Sequence, residues 1–109
     1  MIELVERHLD AIRALCRAHG VCRLDLFGLA ATGAFDPTTS DLDFIATFAD
    51  SGAPGYAARY LDFVDALEVL LGRPVDVVTD GSIRSPYFRQ AVDASRQPIY
   101  DGRDTPAAA

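Results

Sequence analysis

The chain of 109 residues contains no lysine, and all ten of its basic residues are arginines. A phosphate loop built around a lysine ammonium is therefore excluded. Any anion site must use arginine, backbone N–H groups or a metal ion. Cysteine is scarce, with only Cys16 and Cys22, too few for a disulfide framework. Cys16 falls on the apolar face of the first predicted helix and Cys22 opens the strand that follows. Both are expected to be small buried apolar side chains. No apolar run approaches the 18 residues of a membrane span and no N-terminal signal is evident, so a soluble, cytoplasmic protein without a membrane partner is expected. His8 and His19 have no ligand cluster beside them. His19, just before Gly20, reads as a helix C-terminal residue interacting with the dipole.

What is abundant is negative charge and apolar surface. The net charge of −6 argues against direct nucleic-acid binding and against anionic lipid. Half of the residues are hydrophobic, enough for a real core. One domain of this length buries roughly 65% of its unfolded surface.

Along the chain, Ile2, Val5, Leu9, Ile12, Leu15 and Cys16 make an i, i+3, i+4 stripe that predicts one amphipathic helix over 2–19, stopped by Gly20. VCRLDLF (21–27) reads as a strand with Cys22, Leu24 and Leu26 on one side. Gly28–Gly33 is a tight, small-residue segment compatible with a turn entering a short helix, and DPTTS (36–40) is turn chemistry. DLDFIATF (41–48) alternates, placing Leu42, Phe44, Ala46 and Phe48 on one face and Asp41, Asp43, Ile45 and Thr47 on the other. A second helical stripe runs from Tyr56 to Leu71, ended by Gly72 and Pro74, with Pro54 suited to its first turn. PVDVVT (74–79) is a short strand, Ser85–Pro86 caps a helix to about Ser95, and Pro98–Tyr100 suits an edge strand. This order gives an α/β (α+β) fold, a small mixed sheet with its helices mainly on one face.

The chemistry concentrates in LFGLAATGAFDPTTSDLDF (26–44). Asp41 and Asp43, two apart on a strand, have Cα atoms roughly 6.5–7 Å apart and share a face. Asp76 sits inside the strand 74–79, and if that strand lies beside 41–48 three carboxylates converge. Like charges on one face repel, and a hard divalent cation removes the repulsion while also taking phosphate oxygen. Such a patch can hold two metals about 3.5–4 Å apart, the spacing that suits displacement at phosphorus. Asp76 is then placed to ligate the metal nearest the nucleophile or to take its proton. Asp-x-Asp by itself is a weak signal, more often solubilising charge on a wet strand face than a site. The order of elements around it is what carries the pattern: strand, glycine turn, polar loop, Asp-x-Asp strand, helix, Asp-bearing strand.

That order, with LLGRPVDVVTDG and RSPYFRQAV behind it, resembles the minimal nucleotidyltransferase (MNT) family of the polymerase-beta-like superfamily, in particular the MNT antitoxin partners of HEPN toxins. The resemblance spans residues 1–100, with 101–109 expected as a frayed tail. It implies a polymerase-beta-like fold, two Mg²⁺ ions (or Mn²⁺) and ATP as donor. It further implies transfer of AMP to a hydroxyl of a HEPN-type toxin. By this likeness Asp41, Asp43 and Asp76 are the metal-binding and catalytic carboxylates, and Gly28 and Gly33 shape the nucleotide-binding turn. Leu29 stands where the family usually has serine, and Thr32 where it usually has arginine. Leucine keeps the backbone N–H but lacks the hydroxyl. A hydrogen bond to a charged group is worth about 1.5–3 kcal/mol. Hydroxyls of Thr32, Thr39 or Ser40 are available to compensate. Arg84, Arg89 and Arg96 read as a solvated helix face, or as contacts to triphosphate or partner.

Three readings stay open on the sequence. The chain is a metal-dependent protein adenylyltransferase acting as antitoxin, a catalytically weak or inactive module that neutralises its toxin by binding, or a solitary nucleotide- or metal-binding domain with another client.

Overall fold

A computed structural model of the chain describes residues 2–28, 42–49 and 52–102. The amphipathic N-terminal stripe forms two helices, α1 (Glu3–Arg7) and α2 (Leu9–Ala18). The single helix expected over 2–19 is interrupted at His8, whose backbone leaves helical geometry at φ −112°, ψ 12°. The break is held locally, because the His8 N–H bonds the Val5 carbonyl three residues back and the His8 ring nitrogen Nδ1 lies 2.8 Å from the Leu4 carbonyl. The interruption does not rotate the stripe out of the core, since Val5, Ile12 and Cys16 are all fully buried.

Four strands follow: β1 (Val21–Phe27), β2 (Leu42–Phe48), β3 (Val75–Thr79) and β4 (Gln97–Asp101). They form one sheet in the order β3-β2-β1-β4. The β1–β2 and β1–β4 pairs are antiparallel and β2–β3 is parallel. The parallel pair needs a crossover, supplied by α3 (Tyr56–Leu71), which Gly72 ends at φ +70°. A short 3₁₀ turn (Asp80–Ser82) then leads into α4 (Pro86–Ser95). The Ser85 side chain caps α4 by accepting the Phe88 N–H at 3.3 Å, with Pro86 at the first helical position.

On one side of the sheet, Leu24, Leu26, Leu42, Phe44 and Val77 pack against α2 and α3, whose Ile12, Phe63 and Leu67 are fully buried. α4 lies on the other side, where Val92 closes over Phe27 and Ile45 and Phe88 meets Phe27 edge-on at 5.9 Å. Helices therefore cover mainly, but not solely, one face. Alternation in β1 is broken by a bulge between Val21 and Arg23. The extra residue puts Val21 back on the face of Leu24 and turns Cys22 outward. Cys22 is accordingly exposed rather than buried, whereas Cys16 lies in the core. No described helix is long and apolar enough to cross a membrane.

Candidate active site

Three strand ends meet at one corner of the sheet. β1 finishes at Phe27, and Phe27 is the cross-strand partner of Asp43 near the start of β2. Asp43 is in turn the register partner of Asp76 near the start of β3. Residues in register on neighbouring strands present their side chains to the same face. The two carboxylates therefore sit side by side, on the face that carries Ile45 and Val78 rather than the main core. Asp43 is half-buried and Asp76 exposed.

Gly28 closes this corner. Its backbone is left-handed at φ +73°, and a Cβ built on it would stand 2.8 Å from Asp43 Oδ2. Both facts demand glycine, one through backbone sterics and the other through space. The Gly28 N–H donates to Ser95 Oγ at 3.1 Å, and Ser95 Oγ donates to the Ala91 carbonyl at 3.2 Å. The last turn of α4 thus anchors the end of β1. Leu29, Thr32, Gly33, Ser40 and Asp41 lie outside the described residues, so of the expected constellation Gly28, Asp43 and Asp76 are placed here.

Two side chains of α3 reach the free edge of β3. Tyr60 Oη donates to the Val77 carbonyl at 2.5 Å, and Glu68 Oε2 accepts the Val75 N–H at 3.0 Å. Burial pushes the Tyr60 phenol above its usual range, and the negative charge of Asp76 adds to it, followed by Tyr56. The phenol therefore stays protonated and able to donate. Beside Asp76 opens a cavity of about 570 Å³, whose walls include Tyr56, Tyr60, Leu61, Thr79 and Ser82.

A further acid, Asp25, stands apart from these carboxylates. Asp25 is fully buried in β1, bonded to Arg96 Nε at 2.5 Å and to Arg23 Nη2 at 3.1 Å. Burial disfavours the Arg96 charge, but bonds to Asp25 and Asp93 outweigh it and raise its pKa. The signal in the sequence is an acid between Leu24 and Leu26, two residues after Arg23 and on the side of Phe27. Arg89 is similarly engaged, with Nη1 2.5 Å from Asp80 Oδ1 and Nη2 on the Asp80 carbonyl. Arg84 is exposed. Arg89 and Arg96 therefore brace α4 against the sheet and the 3₁₀ turn.

Among the described residues no group of three or more metal-ligating side chains is assembled. Asp43 and Asp76 nevertheless fit a hard divalent cation. They offer adjacent carboxylate oxygens on one face, and Gly28 leaves the space beside Oδ2 open.

The sequence of residues 9–99 matches the nucleotidyltransferase domain model. The chain belongs to the nucleotidyltransferase domain family. Within it, the chain is 28% identical over 91 residues to a Methanocaldococcus jannaschii protein carrying the provisional name protein adenylyltransferase MJ1379, covering 84% of this chain and 86% of that protein. A structure described provisionally as a minimal nucleotidyltransferase superposes with a TM-score of 0.74 at 29% identity, covering 90% of this chain and 97% of the other. The same fold recurs, at 19% identity and a TM-score of 0.62, in a complex of a tri-AMPylated Shewanella oneidensis HEPN toxin with its MNT antitoxin, covering 90% of this chain and 73% of that one. In this nucleotidyltransferase frame the corner formed by Gly28, Asp43 and Asp76 is the candidate active site.

Proposed function

We propose that this nucleotidyltransferase, over residues 1–100, transfers AMP from ATP to a hydroxyl of a partner protein, the hydroxyl oxygen bonding the α-phosphorus as the α–β anhydride breaks and pyrophosphate leaves, and that it acts in the cytoplasm as antitoxin to a HEPN-type toxin. The observation that carries the reading is the registered pair Asp43–Asp76 beside the glycine corner at Gly28. Like charges directly opposite one another repel, and a shared cation would remove that repulsion. The two carboxylates make sense as ligands, with Asp41 as the third.

Divalent ions held there, Mg²⁺ or Mn²⁺, would neutralise triphosphate charge and favour ionisation of an attacking hydroxyl. The chain's own residues do the rest. Asp43 fixes the donor end of the site next to the Gly28 turn, where Gly28, Leu29, Thr32, Gly33 and Ser40 would surround the phosphates. Asp76, one strand further out and exposed, would ligate the metal nearest the attacking hydroxyl or take its proton. The acidic balance of the chain, −6 overall, complements a basic RNA-cleaving partner.

Incubation with Mg²⁺, labelled ATP and a HEPN-type partner encoded beside this gene tests the proposal. Incorporation of AMP into the partner, abolished by Asp43→Asn, is expected. No incorporation by the parent chain or by a Leu29→Ser variant would overturn it.

A second reading is favoured by one feature, Leu29 in place of a serine hydroxyl. On that reading the fold neutralises its toxin by covering it. Toxin suppression that survives Asp41→Ala together with Asp43→Ala would select it.

A further inference from the structure

The free edge of β3 is occupied at two points that bracket Asp76. Glu68 accepts a hydrogen bond from the N–H of the residue before it, Val75, and the Tyr60 hydroxyl donates one to the carbonyl of the residue after it, Val77. In an extended strand the N–H and C=O of one residue point to the same edge, and those of the next residue to the opposite edge. With Val75 and Val77 turned outward, the backbone of Asp76 faces β2, where its register partner is Asp43. Asp76 is thus held from both sides, by the ladder to β2 and by two side chains of α3. The geometry follows from the crossover: α3 runs back along the sheet before β3 begins, so its earlier residue meets the later strand position.

We propose that Tyr60 and Glu68 are positioning residues for the carboxylate pair. They fix β3 in the register that sets Asp76 beside Asp43, and so set the affinity of the site for a divalent cation. This rests on the reading of Asp43 and Asp76 as cation ligands. An edge strand also needs protection from pairing with other chains, and side chains that merely did that would stabilise the fold without tuning the site. Their placement one residue either side of the functional acid separates the two roles. The phenol is well suited to its part: at neutral pH it donates and carries no charge of its own beside Asp76.

The test is a titration of the full chain with Mn²⁺ alone, free Mn²⁺ being followed by its electron paramagnetic resonance signal, with melting curves recorded in parallel. Asp76→Asn is expected to weaken binding by about tenfold or more. Tyr60→Phe and Glu68→Leu, which each remove one bond, are expected to weaken it singly, and by about tenfold together. Glu68→Gln keeps an oxygen for the Val75 N–H and should bind as the parent does. Ile12→Val, which thins the core away from β3, should lower the melting temperature and leave Mn²⁺ affinity unchanged.

If Asp76→Asn binds Mn²⁺ as tightly as the parent, the cation reading fails and this inference with it. If Asp76→Asn weakens binding but Tyr60→Phe and Glu68→Leu do not, the positioning role alone is overturned. Weakening by Ile12→Val equal to that of Tyr60→Phe would also overturn it, since lost stability would then explain both. Should Tyr60→Phe not fold, the contrast between Glu68→Leu and Glu68→Gln decides.

Discussion

Asp43 Oδ2 lies 2.8 Å from the point where a Cβ on Gly28 would stand, so the carboxylate reaches into the space that a side chain at 28 would fill. Any side chain at 28 must displace Asp43 or break the turn. Gly28→Ala is therefore expected to cost about 1–2 kcal/mol of stability from the left-handed backbone alone. It should also lower nucleotidyl transfer by more than that stability loss explains. Denaturant unfolding and a transfer assay under conditions where the variant is folded check the two parts separately.

Asp25 is a fully buried charge. It lies between Arg96 and Arg23, and removing one partner of such a pair strands the others. Asp25→Ala is expected to destabilise the fold by about 3–5 kcal/mol, read as a lower urea midpoint. Arg23→Ala should cost much less, because the Arg23 side chain is 39% exposed and Arg96 stays bonded to Asp25.

The two cysteines should differ sharply toward thiol reagents. Burial pushes the Cys16 thiol up to about 12, while Cys22 sits exposed on the bulge. One equivalent of Ellman's reagent is expected to react with the native chain at pH 8, and Cys22→Ser should abolish that reaction. The sign of the Cys16 shift also sets an alkaline limit. A thiol whose folded pKa is raised favours the folded state below its ordinary value of 9.0, and that contribution is lost as the pH climbs toward 12. Melting temperature should therefore fall across that window, and less so in Cys16→Ala, measured relative to its own value at pH 8.

The period of the apolar residues made the strands and α3 legible, since β1 spans Val21–Phe27 and α3 Tyr56–Leu71 as the pattern predicts. The placement of Asp43 against Asp76 required a parallel register that a single strand's alternation does not encode. Local backbone events were harder to read. The break at His8 and the bulge that exposes Cys22 depend on one residue leaving regular geometry, which a periodic stripe averages away. The contacts of Arg96 with Asp25 and of Arg89 with Asp80 join different elements, which the pattern of one strand or one helix does not encode. Tyr60 and Glu68 looked like ordinary members of a helix; only the crossover brings their polar ends to β3.

Leu29 supplies a prediction that separates a weakened enzyme from a pure binding module. On the proposed reading, Leu29→Ser adds a hydroxyl for a triphosphate oxygen, a bond worth about 1.5–3 kcal/mol to a charged acceptor. Transfer measured as kcat/KM is expected to rise by about 10- to 150-fold. An unchanged rate would mean that this hydroxyl makes no contact with the triphosphate.

The pairing of Asp43 with Asp76 as a cation and triphosphate site is tested most directly by calorimetric titration with MgATP. The parent chain is expected to bind it, with affinity lost on adding excess EDTA and reduced about tenfold or more in Asp43→Asn and in Asp76→Asn. Equal affinity in the parent and both variants, or binding of ATP indifferent to the metal, would contradict the account.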